Sequence, residues 1–361
     1  MKIGIIGAGQ LGRMLALAGY PLGLRFVFLD QSEDAPGAQV GTIVRGAFDD
    51  PAGLAELARA VDIVTFDVEN VPVGAIRDIA REKPFLPPPE ALGASQDRLD
   101  EKSLFRALRI PTPPFAQVDS RADLVRAVES IGLPGVLKTR RLGYDGRGQY
   151  FLRTQRDIEP AWNALGSVPL IYEGFVDFSC EVSIIGVRST KGEFACYPLS
   201  ANTHEGGILR YSIAPYRNAS LQRQAEGHLK RLMKHFDYAG VLTIEFFVKR
   251  GQLIANEMAP RVHNSGHWTI EGAATSQFEN HIRAILGLPL GSTRPIGHSA
   301  MVNFIGTIPP PACVLEIPGV HYHNYGKEPR PNRKLGHCTI VSPNARARDK
   351  ALRRLLKFVR S

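Results

Sequence analysis

Two acidic residues, Glu245 and Glu257, each interrupt an apolar β-like run, Val241–Val248 and Leu253–Glu257, with a short polar turn between the runs. A charge inside such a run is costly unless a cation or hydrogen bonds compensate it. Two-residue alternation puts Val241, Thr243, Glu245 and Phe247 on one face. A hairpin turn at 249–252 places Glu245 opposite Asn256 or Glu257, depending on register. Two close carboxylates with a neutral amide oxygen form a hard-oxygen set suited to Mg²⁺, hence to triphosphate chemistry. The competing arrangement pairs one inward Glu with Arg261 and leaves the other exposed. It does not explain the polar run that follows, Arg261, Val262, His263, Asn264, Ser265, Gly266, His267, whose residue types suit a pocket for a small oxyanion and its acceptor.

Four other segments carry candidate chemistry. Lys138 to Gln149 holds four cations (Lys138, Arg140, Arg141, Arg147) and three glycines (Gly143, Gly146, Gly148) between two strands. Glycines there let backbone amides fold over phosphate oxygens, and Lys138 supplies a point charge. A solvated basic hairpin would leave Tyr144 and Asp145 unexplained, and the spacing is not that of a Walker motif. Tyr172-Glu173-Gly174-Phe175-Val176, then Glu181, could present a carboxylate to ribose hydroxyls and backbone groups to an adenine edge; surface glutamates are the plain alternative. Lys327 to His337, with Arg330, Arg333 and Lys334, suits phosphate capture or is simply a solvated basic loop. Gly7-Ala-Gly9-Gln10-Leu11-Gly12, between a strand and a helix and with Asp30 ending the next strand, matches a dinucleotide fingerprint, but also a sugar-phosphate loop or a tight turn.

These groups need a scaffold. At 361 residues and 44% hydrophobic content the chain can bury the cores of two or three domains. Strands at 2–7, 25–30 and 61–66 alternate with helices at 10–22 and 73–82, which predicts a parallel α/β sheet. Prolines at 84–89 and at 111, 113 and 114 mark boundaries. A small α+β module follows, with helices at 100–108 and 123–131 and strands at 135–138 and 149–152. From about 177 a larger mixed region has strands at 180–187, 193–197, 241–248 and 253–257 and helices near 219–236 and 276–286. No run approaches the ~18 apolar residues of a membrane helix. Cys180, Cys196, Cys313 and Cys338 lack any metal-ligand or CxxC rhythm, the pattern of reduced cytoplasmic thiols. The net charge of +9 is densest in the amphipathic stretch 346–360, which reads as a helix with a solvated basic face rather than a nucleic-acid or membrane element.

Taken together, GAGQLGRMLALAG (7–19), RRLGYDGRGQ (140–149), NEMAPRVHNSGHWTIEGA (256–273) and SQFENHIRAILGLPLG (276–291) resemble the 5-(carboxyamino)imidazole ribonucleotide synthases, ATP-grasp ligases of purine biosynthesis. The resemblance runs from Lys2 to about His337. It implies a three-domain ATP-grasp fold, an N-terminal Rossmann-like domain (1–102), a lid (103–176) and a C-terminal domain (177–361). It further implies ATP-driven joining of bicarbonate to aminoimidazole ribonucleotide by a cytoplasmic homodimer with no nucleic-acid or membrane partner. By matching motif, Arg98 (in SQDRLDEK), Lys138, the loop 143–149 (Gly143, Tyr144, Asp145, Gly146, Arg147, Gly148, Gln149), Glu173, Gly174, Phe175, Val176, Glu181, His204 and Asn256 would contact ATP. Glu245 and Glu257 would hold Mg²⁺, as a pair of ions in the active complex and with Mn²⁺ able to substitute. Gln10, Leu11, Glu69, Arg261, His263, Asn264, Ser265, Lys327, Arg333 and Lys334 would bind bicarbonate and the ribonucleotide. Tyr144, Asp145, Arg147, His267 and Lys327 would serve catalysis. Relatives often carry Glu where Asp67 stands, so only Glu69 of that segment receives a substrate role.

Overall fold

The computed structural model describes residues 1–143 and 148–359. Three sheets organise it. The first contains β1 (Lys2–Ile6), β2 (Arg25–Asp30), β3 (Thr42–Arg45) and β4 (Ile63–Phe66), all parallel, in the order β3-β2-β1-β4. The helix after β1 stops at Gly19 and tightens into a 3-10 turn at Tyr20–Leu22, shorter than expected because Pro21 cannot continue the hydrogen-bond ladder.

The second sheet is antiparallel: β5 (Phe115–Val118), β6 (Gly135–Thr139), β7 (Gln149–Leu152) and β8 (Leu170–Gly174), in the order β5-β8-β6-β7. The third is large and antiparallel. It runs through β9 (Cys180–Arg188), β10 (Phe194–Cys196), β11 (Ser200–Glu205), β12 (Ile208–Ala214), β13 (Gly240–Lys249), β14 (Gln252–Ala259), β15 (His298–Ile305), β16 (Val320–Asn324) and β17 (Lys334–Ser342). Its order is β14-β13-β9-β11-β12-β15-β17-β16, with β10 beside β9.

The helices Ala219–His235 and Gln277–Ile285 both pack on β9 and β13. The first is capped by Asn218, whose side chain accepts the Leu221 N–H (3.0 Å), the second by Ser276, which accepts the Glu279 N–H (3.1 Å). Burial among these helices explains why β13 reads as a nearly continuous apolar run, and why Glu245 stands out in it. The basic C-terminal stretch is a helix, Ala345–Val359, with Leu352, Leu355 and Val359 in an apolar cluster against β15 and β17. All four cysteines are unpaired thiols. Among the described residues no helix is long and apolar enough to cross a membrane.

Candidate functional site

A cleft of about 880 Å³ is lined by residues of the second and third sheets and by the segments that follow β1 and β4 of the first. β13 and β14 form its floor. Lys249 pairs with Gln252 across a two-residue turn, Arg250-Gly251, both with positive φ (51° and 76°). That turn's register, carried on unbroken, would set Glu245 opposite Asn256, yet Glu245 lies opposite Glu257. A bulge is the cause: Glu245 pairs with Glu257 and Phe246 with Ala255, leaving Asn256 as the extra residue. In a regular strand Asn256 and Glu257 would face opposite sides; with the bulge, both line the cleft. The same device recurs twice. Register shifts lie at Thr203/His204 on β11 and at Phe304/Ile305 opposite Lys334 on β17, and His204 and Lys334 both reach the cleft.

Burial and the Glu257 charge push Glu245 up to about 7. Burial disfavours the charged His204 ring, but Glu181, in direct contact, together with Glu245 and Glu257 outweighs it and raises its pKa. Glu245, Glu257 and the Asn256 amide offer hard oxygens, and the strained Glu245 is the group a cation would relieve. This donor set fits Mg²⁺. Among the described residues no cluster of three or more His, Cys, Asp or Glu could hold a metal by itself, so waters and phosphate oxygens would complete the shell.

The opposite wall is built on β6 and β8. Lys138 Nζ donates to Glu173 Oε2 (3.0 Å), and Lys102 Nζ lies 3.7 Å from the same oxygen. Burial alone would raise the Glu173 pKa; the two ammonium groups instead hold it at about 2. Lys102 is fully buried and also donates to the backbone oxygens of Ala255 (3.2 Å) and Asn256. It thereby joins the wall to the bulged floor strand. Nothing in its spacing singled it out; its neighbour Arg98 is the residue the resemblance selected.

Arg98 opens the helix Arg98–Ala107, capped by Asp97. Its guanidinium reaches Glu257 Oε2 (3.4 Å) and the Gly143 carbonyl (3.2 Å). Asp97 also binds Arg140 in a two-pronged pair (2.9 and 2.8 Å) and Arg141 Nε (3.1 Å). Two of the four cations in the 138–149 stretch, Arg140 and Arg141, are therefore held by this buried carboxylate.

The glycine loop is filled from within. Gly12 N–H donates to Asp67 Oδ2 and Ala8 N–H to Asp30 Oδ2, both at 2.9 Å. A Cβ on Gly7, where φ is 94°, would sit 1.9 Å from Asp67 Oδ1. The fingerprint's glycines thus make room for the protein's own carboxylate, and its distal acid binds the loop rather than a ribose. That removes the dinucleotide reading. Burial pushes Asp67 up to about 6. Asp67 lines the cleft, a contact that the sequence reading left to Glu69 alone.

Gln10, Leu11, Glu69, Arg98, Lys138, Gly143, Gln149, Glu173, Gly174, Phe175, Val176, Glu181, His204, Arg261, His263, Asn264 and Lys334 all line the same cleft with Asn256, Glu245 and Glu257. Arg261 pairs with Glu69 (3.0 Å), not with either floor glutamate. Gly148, Ser265, His267, Lys327 and Arg333 do not line it. Gly148 lies where a Cβ would strike the Thr139 hydroxyl (2.6 Å). Lys327 Nζ donates to Gln10 Oε1, one residue behind the wall; burial and the Arg333 charge lower its pKa to about 8. Arg333 donates to the Glu328 carbonyl (3.1 Å) at the exposed surface. His267 is 1% exposed, its Nδ1 3.1 Å from the Asn264 amide nitrogen. Tyr144, Asp145, Gly146 and Arg147 lie outside the described residues.

Known proteins resemble this chain along most of its length. Three family models match in succession: a ribonucleotide synthetase preATP-grasp domain over 1–96, an ATP-grasp domain over 103–278 and a phosphoribosylaminoimidazole carboxylase C-terminal domain over 299–351. The N5-carboxyaminoimidazole ribonucleotide synthase of Pseudomonas aeruginosa is 54% identical over 340 residues, 94% of each chain. That of Brucella melitensis is 46% identical, covering 94% of this chain and 96% of its own. A Thermus thermophilus N5-carboxyaminoimidazole ribonucleotide synthetase superposes with a TM-score of 0.96 at 53% identity, covering 99% of both chains. An Aspergillus clavatus enzyme in complex with ADP and 5-aminoimidazole ribonucleotide superposes at 0.93 with 32% identity, covering 99% of this chain and 98% of its own. The chain belongs to the N5-carboxyaminoimidazole ribonucleotide synthase family of ATP-grasp ligases.

Proposed function

We infer that the chain joins bicarbonate to the exocyclic amine of 5-aminoimidazole ribonucleotide, cleaving ATP to ADP and phosphate, as a step of purine synthesis. The observation that carries this reading is a single cleft with a hinge, Glu173 to Val176, on one wall, a paired-carboxylate floor, and a basic side formed by Arg261 and Lys334. Glu173 has one carboxylate oxygen buried without a partner, an acceptor for the amino edge of a base. Lys138, beside it, supplies charge to a phosphate.

Glu245, Glu257 and Asn256 would hold Mg²⁺, which when bound withdraws charge from the triphosphate. A bicarbonate oxygen attacks the γ-phosphorus and ADP leaves, giving carboxyphosphate. The amine nitrogen then attacks the carboxyl carbon, phosphate departs, and the nitrogen gives up a proton. Lys327, which donates to Gln10 from behind the cleft wall, would orient the acceptor through that side chain. Lys334, Arg333 and Gln10 would hold the ribonucleotide phosphate, and His267 would act on the cleft through Asn264. A cytoplasmic homodimer goes with this reading. The test is ADP release with Mg-ATP and bicarbonate, with and without aminoimidazole ribonucleotide. Release that depends on the acceptor supports the assignment; hydrolysis needing neither acceptor nor bicarbonate overturns it.

A further inference from the structure

The third sheet carries polar side chains where its core should be apolar. Ser183, Ser200, Asn202 and Ser212 on β9, β11 and β12 are at most 7% exposed, and Ser265 is fully buried beside them. Buried hydroxyls and amides are retained at a cost unless each finds a partner. Here they form one connected lattice. Ser212 Oγ donates to Asn202 Oδ1 (2.9 Å), and Asn202 Nδ2 donates to Ser183 Oγ (3.1 Å). Ser183 Oγ contacts Ser200 Oγ (2.9 Å) and donates to Ser265 Oγ (2.7 Å). Ser265 Oγ lies 2.9 Å from His263 Nδ1, where the chain of bonds ends.

The direction of the chain is fixed at that end. The backbone N–H of Ser265 also points at His263 Nδ1 (3.3 Å), and an amide N–H can only donate. Nδ1 must therefore be an acceptor, and the Ser265 hydroxyl must donate to it. Ser265 then accepts from Ser183, and Ser183 accepts from Asn202 and Ser200, so every hydroxyl on the path has a consistent role. The ring hydrogen is left on Nε2.

Of the rest of the run, the amides are engaged within the protein and Arg261 keeps only part of its guanidinium for a ligand, its Nε having no partner. Asn303 Nδ2 donates to the Leu209 carbonyl (2.8 Å) and to Asn264 Oδ1 (2.6 Å), which fixes both amides. Asn264 Nδ2 is then spent on Asn303 Oδ1 (3.0 Å) and His267 Nδ1 (3.1 Å). Arg261 is engaged by Glu69 and by the Val262 carbonyl (3.0 Å). His263 lines the cleft; its Nδ1 accepts from Ser265 and lies 3.8 Å from Glu245 Oε1, beyond hydrogen-bond reach, so Nε2–H is the ring's one donor for a ligand.

We propose that Ser183, Asn202 and Ser265 are positioning residues that lock His263 as an Nε2–H donor toward the oxyanion of the activated carboxyl group, and so deny it the role of proton acceptor. The oxyanion's identity rests on the reaction inferred above; the lock itself does not. A preorganised donor of this kind acts where negative charge develops, and the wrong tautomer would present a lone pair to it.

The experiment has two arms. In the first, nitrogen-15 histidine spectra of the wild-type protein with Mg-ADP are recorded, with His263→Asn used to assign the signal. We expect an unprotonated Nδ1 and a protonated Nε2; a proton on Nδ1 overturns the lock, whatever the reaction proves to be. In the second, Ser183→Ala removes one link without touching the cleft. We expect kcat to fall about tenfold, as for other residues that orient a ligand from behind, with KM for ATP unchanged and the Nδ1 signal altered. An unchanged kcat overturns the positioning role. Loss of acceptor-dependent ADP release in the wild type would instead refute the proposed reaction and leave the first arm standing.

Discussion

Glu245→Gln tests the floor of the cleft without any substrate. Burial and the Glu257 charge raise Glu245 from the 4.5 of a free side chain to about 7. At 1.36 kcal/mol per tenfold change this is about 3 kcal/mol. The sign follows from proton uptake. The folded chain holds this proton more tightly than the unfolded chain, so stability falls as pH rises from about 4.5 to about 7. The penalty is absent below that window and complete above it. Glutamine keeps the shape and removes the charge, so at pH 8 the metal-free variant should be more stable than wild type by up to about 3 kcal/mol. With an unfolding entropy of ~2.1 cal/mol/K per residue, a cooperative melt of the whole chain should move up by roughly 4 °C. The gap should close at pH 4.5. Mg²⁺ with ATP should raise the wild-type melting temperature and leave the variant's nearly unchanged. Scanning calorimetry at the two pH values, with and without Mg-ATP, decides it. A variant no more stable than wild type at pH 8, or equally favoured at pH 4.5, would refute the electrostatic account of the pair.

Lys102→Met leaves Glu173 with Lys138 alone in a buried site and should destabilise by about 3–5 kcal/mol in chemical denaturation. Adding Glu173→Gln should recover a large part, and strict additivity in that cycle would show that the two do not interact. Gly7→Ala forces a Cβ into Asp67 at a backbone φ of 94°. A loss of at least about 2 kcal/mol is expected by denaturation, and a neutral result would mean the carboxylate does not sit in the loop. Lys334→Ala should raise KM for the ribonucleotide roughly tenfold, as expected for one charged hydrogen bond; an unchanged KM in steady-state assays removes Lys334 from the phosphate site.

The parts of this site legible in sequence are those where a residue type conflicts with its surroundings. Glu245 in β13 is one: a carboxylate in an apolar run announces itself, and the turn residues Arg250-Gly251 already limit its partner to Asn256 or Glu257. The bulge at Asn256 was not legible. One inserted residue reverses which side chains share a face, and strand alternation contains no signal for it. The strands β11, β12 and β15 to β17 were missed for a related reason. In β12, β15 and β17 the apolar face (Tyr211 and Ile213; Ala300, Val302 and Phe304; Cys338 and Ile340) alternates with a face of Ser, Asn, Thr and His satisfied by partners distant in sequence, which weakens the apolar signal of each short run. Lys102 was invisible because its partners, the Ala255 and Asn256 carbonyls and Glu173, lie over 70 residues away.

The glycine loop and the basic lid stretch share a pattern of donors that, by residue type alone, reads as an anion site. In both, an internal carboxylate answers the demand: Asp67 at Gly12 N–H, and Asp97 at Arg140 and Arg141. Free amides and guanidinium groups do attract anions, but an aspartate held in place loses little further entropy and is never diluted, so it out-competes a ligand in solution. A motif defined by donors alone therefore overcounts ligand sites wherever the fold can return an acid to it. The His263 ring lines the cleft with its Nδ1 engaged by Ser265, which leaves Nε2–H, on the inference drawn above, as its donor for the reacting carboxyl group.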